Sequence, residues 1–270
     1  KWNIEKAKDN KKTTLLTFGG AFSNHIAAVA LSCQENGLKS VGVIRGEKVE
    51  PLNSTLRKAE ENGMQLYFVS REDYNLKKND DFILGLRNQF GNFHLVPEGG
   101  ANYYGVMGCM EITKELDFEP DYLVTSAGTG TTASGLLMTA KQEQKVMVFS
   151  GLKGGDFLEK EIKHLINYTT YNEDDTAEVL QHLVLKTDYH FGGFAKITPE
   201  LIQFVNVFHE QFQIPLDLIY TSKLFYGLFD GIRKNQFPPK KKIVALHTGG
   251  LQGNSGFEKQ LKKLGLKLNY

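Results

Sequence analysis

Residues 122–137 read YLVTSAGTGTTASGLL, and the class of fold follows from them. The apolar start, Tyr122–Thr125, has the length and composition of a strand. Ser126-Ala127-Gly128-Thr129-Gly130-Thr131-Thr132 reads as a tight turn, and Ala133–Thr139 as the apolar part of a helix. The same strand–helix alternation extends in both directions. Strands are expected at Thr14–Phe18, Ser40–Ile44, Gln65–Val69, Phe93–Val96, Lys145–Phe149 and Ile243–Leu246. Helices are expected at Ser23–Asn36, Ser54–Asn62, Asp80–Gln89, Tyr104–Glu115 and Thr131–Gln142, and glycine follows Asn36 and Asn62 where helices should stop. Such alternation implies α/β architecture with parallel sheets and right-handed crossovers.

Composition removes other classes. The 270 residues are 41% hydrophobic and 23% charged, which excludes disorder, collagen and small disulfide scaffolds. Thirty-two basic residues against 31 acidic ones leave a net charge of +1, so nothing draws the chain to nucleic acid or to a membrane surface. No apolar run approaches the roughly 20 residues of a membrane span. Cys33 and Cys109 are too few for a disulfide framework, and a reducing cytoplasm is the expected location. The chain opens at Lys1, without Met, on a helix-like run (KWNIEKAKDNKK) that reads as the interior of a longer protein. Pro97–Gly100 is the best linker, residues 151–193 look irregular between two Gly-Gly pairs, and Lys240–Lys242 reads as a solvated strand entrance.

Four segments could carry chemistry. In Thr17-Phe18-Gly19-Gly20-Ala21-Phe22-Ser23-Asn24-His25, two glycines permit close backbone approach, and helix-start N–H groups attract an anion such as a carboxylate. One cap would suffice there, and three consecutive polar residues exceed that need. Residues 126–132 have the chemistry of a phosphate cradle, with small residues, free N–H groups and hydroxyls. A dinucleotide site would want an acid about 20 positions on, yet that region reads Val148-Phe149-Ser150-Gly151, and no GK[ST] follows the glycines. A cofactor with a single phosphate fits better. Leu216–Tyr220 reads as a short strand breaking into a helix at Thr221, and His247-Thr248-Gly249-Gly250 closes the strand at Ile243. All four segments are expected at the carboxyl ends of strands, where ligands of parallel α/β folds gather.

The segments GGAFSNHIAA, SAGTGTTASGL, LDLIYTSKLFYG and HTGGL, in this order, resemble the 1-aminocyclopropane-1-carboxylate deaminase/D-cysteine desulfhydrase family. The resemblance runs through essentially the whole chain. It implies the tryptophan synthase β-like fold (fold type II), with two open parallel-sheet α/β lobes and pyridoxal 5'-phosphate in the cleft. The small domain would be 13–98, and the large one 1–12 with 99–270, its N-terminal part apparently missing.

The resemblance also implies roles. Asn24 would bond the cofactor's phenolic oxygen, and N–H groups of Ser23, Asn24 and His25 would hold the substrate carboxylate. The Ser23 hydroxyl would lie near the reacting carbons. Gly128, Thr129, Gly130, Thr131 and Thr132 would wrap the phosphate, with Ser126 beneath. Tyr220 would contact substrate as nucleophile or acid/base, and Thr221 and Thr248 would face the pyridine nitrogen. Thr198 reads as an ordinary helix start before Pro199. There are two departures. Phe194 stands where an active-site tyrosine is expected, and the Schiff-base lysine is expected about five residues before Lys1.

Family deaminases carry Tyr-Glu where this chain has Tyr220-Thr221, whereas desulfhydrase-like members carry Tyr-Thr. A hydroxyl at the pyridine nitrogen makes a weaker electron sink than a carboxylate does, which suits loss of a good β leaving group. The resemblance therefore implies a pyridoxal-phosphate dependent lyase or deaminase that converts D-cysteine to pyruvate, ammonia and sulfide. Opening of 1-aminocyclopropane-1-carboxylate to 2-oxobutyrate and ammonia is the alternative, and a non-catalytic amino-acid-binding homologue is another. The partner is a small amino acid, not nucleic acid or membrane, in a homodimer. A serine hydrolase using Ser23 and His25 is the poorer reading, because no GxSxG surrounds the serine.

Overall fold

A computed structural model describes residues 1–270, which divide into two compact units, 1–104 and 105–270. Each unit is built on its own four-stranded parallel sheet.

The first unit runs α1 (Trp2–Asp9), β1 (Thr14–Gly20), α2 (Asn24–Glu35), β2 (Lys39–Arg45), α3 (Ser54–Glu61), β3 (Met64–Val69), α4 (Arg71–Asn75), α5 (Asp80–Phe90) and β4 (His94–Val96). Its strand order is β3-β2-β1-β4. The central strand is buried on both faces, as parallel sheets require. Leu15 points to the core that α2 and α3 close with Ile26, Val29, Cys33 and Leu56. Leu16 and Phe18 point to the opposite core with Val41, Val43, Tyr74, Leu86 and Phe93. The period of two along β1 thus serves both layers. Residues 1–12 were expected with the other lobe, but α1 packs Ile4 and Ala7 into the first of these cores. Asn3 and Asn102 exchange amide hydrogen bonds of 3.2 and 2.9 Å, which pins that helix.

α6 (Tyr103–Cys109) leads into the second unit, with β5 (Tyr122–Ala127), α7 (Thr131–Leu137), β6 (Lys145–Ser150), α8 (Phe157–Thr170), α9 (Glu173–Leu180), β7 (Leu183–Lys186), α10 (Pro199–Phe212), α11 (Thr221–Arg233), β8 (Ile243–Ala245) and α12 (Glu258–Leu264). Its strand order is β7-β6-β5-β8. One face packs Leu123, Val146 and Val148 against α7 and α8, and the other packs Val124, Met147 and Phe149 against Leu224 and Leu228 of α11. At the entrance to β8, Lys241 pairs with Asp121 at 2.7 Å, so part of the 240–242 lysine run has a local structural partner.

Four expectations fail for local reasons. The expected helices Tyr104–Glu115 and Thr131–Gln142 are both cut short. A Cβ on Gly135 would lie 2.3 Å from Cys109 Cβ and 2.9 Å from Met110 N, so α7 meets the end of α6 at backbone distance. Thr139 Oγ1 donates to the Leu136 carbonyl at 3.1 Å and competes for an acceptor at the end of α7. Residues 151–193 are not irregular, since they contain α8, α9 and β7. Leu216–Tyr220 is not a strand but a turn wound around the Asp217 carboxylate. No helix is long and apolar enough to cross a membrane.

Candidate active site

In the first unit, β1 delivers Gly19 and Gly20 to the start of α2. Ser23 takes the extended backbone of an N-cap, and its Oγ accepts from the Ile26 N–H at 3.3 Å. A Cβ on Gly19 would lie 2.5 Å from Ile26 Cγ1 and 2.8 Å from Ser23 Oγ, so only glycine lets the helix start fold back on the strand. Asn53 fixes the intervening loop by donating to the Ala21 carbonyl at 3.0 Å.

His25 is wired to β1 and β4. Thr17 Oγ1 donates to the Val96 carbonyl at 2.8 Å and lies 2.7 Å from His25 Nε2. The Thr17 proton being used there, Nε2 carries the imidazole hydrogen and donates to Thr17. Burial pushes the His25 pKa down to about 4, with the Glu98 charge opposing, so the ring is neutral at pH 7. Ser23 bonds to Ile26 N–H and His25 to Thr17, so the two form no hydrolase pair. Asn24 is the first residue of α2, beside Ser23.

In the second unit, β5 delivers residues 126–132 to the start of α7. Ser126 and Thr131 are buried, and the hydroxyls of Thr129 and Thr131 lie 3.2 Å apart. Gly130 is left-handed at φ 85°, and no side chain caps α7. A Cβ on Gly130 would lie 2.8 Å from Ile162 Cγ1, and one on Gly128 would lie 2.8 Å from Tyr220 Oη. Thr132 Oγ1 lies 4.0 Å from Cys109 Sγ, whose thiol burial pushes above its ordinary pKa. This loop combines backbone donors, hydroxyls and two glycines that admit no side chain, with no carboxylate among its residues. Its residues fit a phosphate monoester.

Tyr220 stands over Gly128, and its ring meets Phe194 edge-on at 6.3 Å between centroids. The turn beneath it is organised by Asp217, which is 1% exposed. Asp217 accepts from the N–H groups of Ile219 (2.9 Å), Tyr220 (2.8 Å) and Thr221 (2.8 Å), and from the Thr221 hydroxyl (2.6 Å). The fully buried Thr221 therefore does not present the free hydroxyl donor expected for a pyridine nitrogen. Thr248, exposed after β8, retains that capacity. Its loop is pinned by His247, whose Nε2 donates to the Pro215 carbonyl at 2.8 Å. Thr198 caps α10 through Leu201 N–H at 3.3 Å, as an ordinary helix start does.

Sequence reasoning missed Lys223. It is 1% exposed on α11, and its ammonium donates to three backbone carbonyls. A lysine next to the apolar stripe Leu224–Leu228 was the available signal.

The family model described as pyridoxal-phosphate dependent enzyme matches residues 1–249. The chain belongs to that family. It is 28% identical over 257 residues to a Pyrococcus horikoshii protein provisionally named 1-aminocyclopropane-1-carboxylate deaminase, covering 93% of this chain and 78% of the relative. It is 26% identical over 277 residues to the bifunctional D-cysteine desulfhydrase/1-aminocyclopropane-1-carboxylate deaminase, mitochondrial, of Arabidopsis thaliana, covering 93% and 67%. The crystal structure of a 1-aminocyclopropane-1-carboxylate deaminase homologue superposes with a TM-score of 0.81 at 26% identity, covering 97% of this chain and 81% of that one. The fold type II assignment, the enzyme class and the pyridoxal phosphate requirement follow from these matches.

Proposed function

We propose that this enzyme is a D-cysteine desulfhydrase, which releases pyruvate, ammonia and sulfide from D-cysteine by α,β-elimination. One observation carries the reading. Residue 221 is threonine rather than glutamate, and the one buried carboxylate of that turn, Asp217, is occupied by four donors of its own loop. That turn thus offers the pyridine ring no free carboxylate, and the exposed Thr248 hydroxyl would be its partner.

Bound pyridoxal phosphate supplies an electron sink for the bonds at the substrate Cα. This chain's own residues bind, orient and move a proton on the leaving-group side. Backbone N–H groups of Ser23, Asn24 and His25 hold the substrate carboxylate at the start of α2. The neutral His25 ring keeps that turn in place without adding charge. Asn24 would hold the cofactor at its phenolic oxygen. Ser126, Gly128, Thr129, Gly130, Thr131 and Thr132 hold its phosphate. The Tyr220 hydroxyl, kept over Gly128, contacts substrate and moves a proton at the leaving-group side, while the Ser23 hydroxyl orients the reacting carbons. A homodimer in the cytoplasm completes the reading.

The test uses the full-length protein with pyridoxal phosphate and compares two products. Sulfide and pyruvate from D-cysteine, with little 2-oxobutyrate from 1-aminocyclopropane-1-carboxylate, is the expected outcome. The reverse ratio assigns the deaminase reaction instead, a reading that the names of the relatives also support, though not better than the desulfhydrase one.

A further inference from the structure

Lys223 is a costly residue at its position. Its side chain is enclosed within the second unit, and burying an ammonium costs several kcal/mol unless every proton finds an acceptor. Here every proton does. Nζ donates to the carbonyls of Gly151 (3.1 Å), His190 (3.0 Å) and Gly193 (2.8 Å). Burial lowers the amine's pKa to about 8 against the opposing Asp217 charge, so Lys223 is a cation at neutral pH.

The three carbonyls come from two places. Gly151 follows β6, where a Cβ would lie 2.7 Å from the Ile219 carbonyl of the Asp217 turn. His190 and Gly193 belong to a segment that turns through positive φ at Gly192 (97°) and Gly193 (124°). The next residue is Phe194, whose ring meets Tyr220. One ammonium thus joins the end of β6 to the 190–194 segment from the first turn of the helix that Tyr220 begins. A mere filler would be an apolar side chain of the same length, with no desolvation to offset.

We propose that Lys223 is a positioning residue of the active site: by gathering the carbonyls of Gly151, His190 and Gly193, it sets Phe194 against Tyr220 and keeps the Tyr220 hydroxyl over Gly128. The proposal rests on the reading of Tyr220 as a substrate-contacting residue. Lys223 acts through these contacts: it is 1% exposed, and its three ammonium protons go to backbone carbonyls.

The experiment compares full-length holoenzyme with Lys223→Met, which keeps the length and removes the donors, and Lys223→Gln, which keeps some of them. In Lys223→Met, amide hydrogen exchange across residues 191–196 should accelerate about tenfold or more while β5 and β6 stay protected. kcat for D-cysteine should fall about tenfold with a smaller change in KM, and Lys223→Gln should fall between. Phe194→Ala should give a similar fall in kcat and add nothing in the Lys223→Met background, because the two act through one contact. Unchanged exchange at 191–196, additive effects, or acceleration that spreads through β5 and β6 overturns the proposal. If the parent enzyme leaves D-cysteine intact, the D-cysteine reading falls, yet exchange still decides the role of Lys223. The kinetic split is then read with 1-aminocyclopropane-1-carboxylate.

Discussion

The two units place a Gly-rich turn at the same topological position, after the central strand of a parallel sheet, yet they finish it in opposite ways. After β1, side chains close the turn. Ser23 caps α2, His25 bonds Thr17, and Asn53 holds Ala21. After β5, no side chain caps α7, and glycine at residue 130 leaves the backbone bare. A turn secured by its own side chains presents fixed N–H groups and suits a small planar carboxylate. A turn without a side-chain cap suits a phosphate, which brings acceptors to the helix start. One architecture therefore yields two turns of different character, and under the proposed function two different anion sites, depending on where the local hydrogen bonds are completed.

The sharpest way to break this contrast is at the glycines. Gly128→Ala puts a methyl group 2.8 Å from Tyr220 Oη and 3.3 Å from its ring, so the tyrosine must leave its place. We expect kcat/KM to fall about 100-fold, the scale of a misplaced catalytic group, with the melting temperature nearly unchanged. Gly20→Ala is the matched control in the first unit, because its nearest neighbour is an Arg45 nitrogen at 3.7 Å. It should be close to neutral. Equal losses at both positions would remove the distinction.

Acid should separate the turns as well. The stretch 126–132 contains no ionisable side chain, whereas the first turn contains His25. The folded pKa of His25, about 4, lies below the ordinary imidazole value of 6.5, so between these values the unfolded chain binds the extra proton. Its contribution is present above pH 6.5 and is lost as the pH falls toward 4. The loss is at most about 3 kcal/mol. Urea unfolding at pH 7 and pH 4.5 measures it, and His25→Gln should flatten the difference. A His25→Gln protein with the parent's pH dependence would assign the acid sensitivity elsewhere.

Much of this contrast is legible in the residues alone. The βα turns at 17–25 and 126–132 announce themselves, because a strand running through glycines into a helix is a short-range pattern. β7 is not legible, since Leu183–Lys186 is a half-buried edge of four residues with no alternation. The periodicity Leu158, Ile162, Leu165, Ile166 was there to reveal α8, but the flanking Gly-Gly pairs suggested a loop. Leu216–Tyr220 has the composition of a strand. It is overruled by the Asp217 carboxylate, which offers the backbone a better set of partners than a sheet edge would. Lys223 escapes for a related reason: its partners are carbonyls 30 to 72 residues away. The binding roles of Asn24, Thr129 and Thr132 come from resemblance rather than from any contact within the chain.

The smallest expected effect tests the capping argument itself. Ser23→Ala removes the hydroxyl that accepts from Ile26 N–H, and loss of such a cap costs about 1 kcal/mol of stability. Thr129→Ala removes a hydroxyl that lies 3.2 Å from another hydroxyl, that of Thr131, and caps no helix. Its stability cost should stay within about 0.5 kcal/mol. The order reverses for the cofactor. Thr129→Ala should weaken pyridoxal phosphate binding several-fold, on the scale of about 1 kcal/mol for one hydrogen bond, while Ser23→Ala leaves it unchanged and raises KM for the amino acid. Chemical denaturation and cofactor titration, run on the same two variants, read both quantities. If the two variants rank in the same order on both scales, the turns share one role, and the division between a self-capped carboxylate site and a bare phosphate site is wrong.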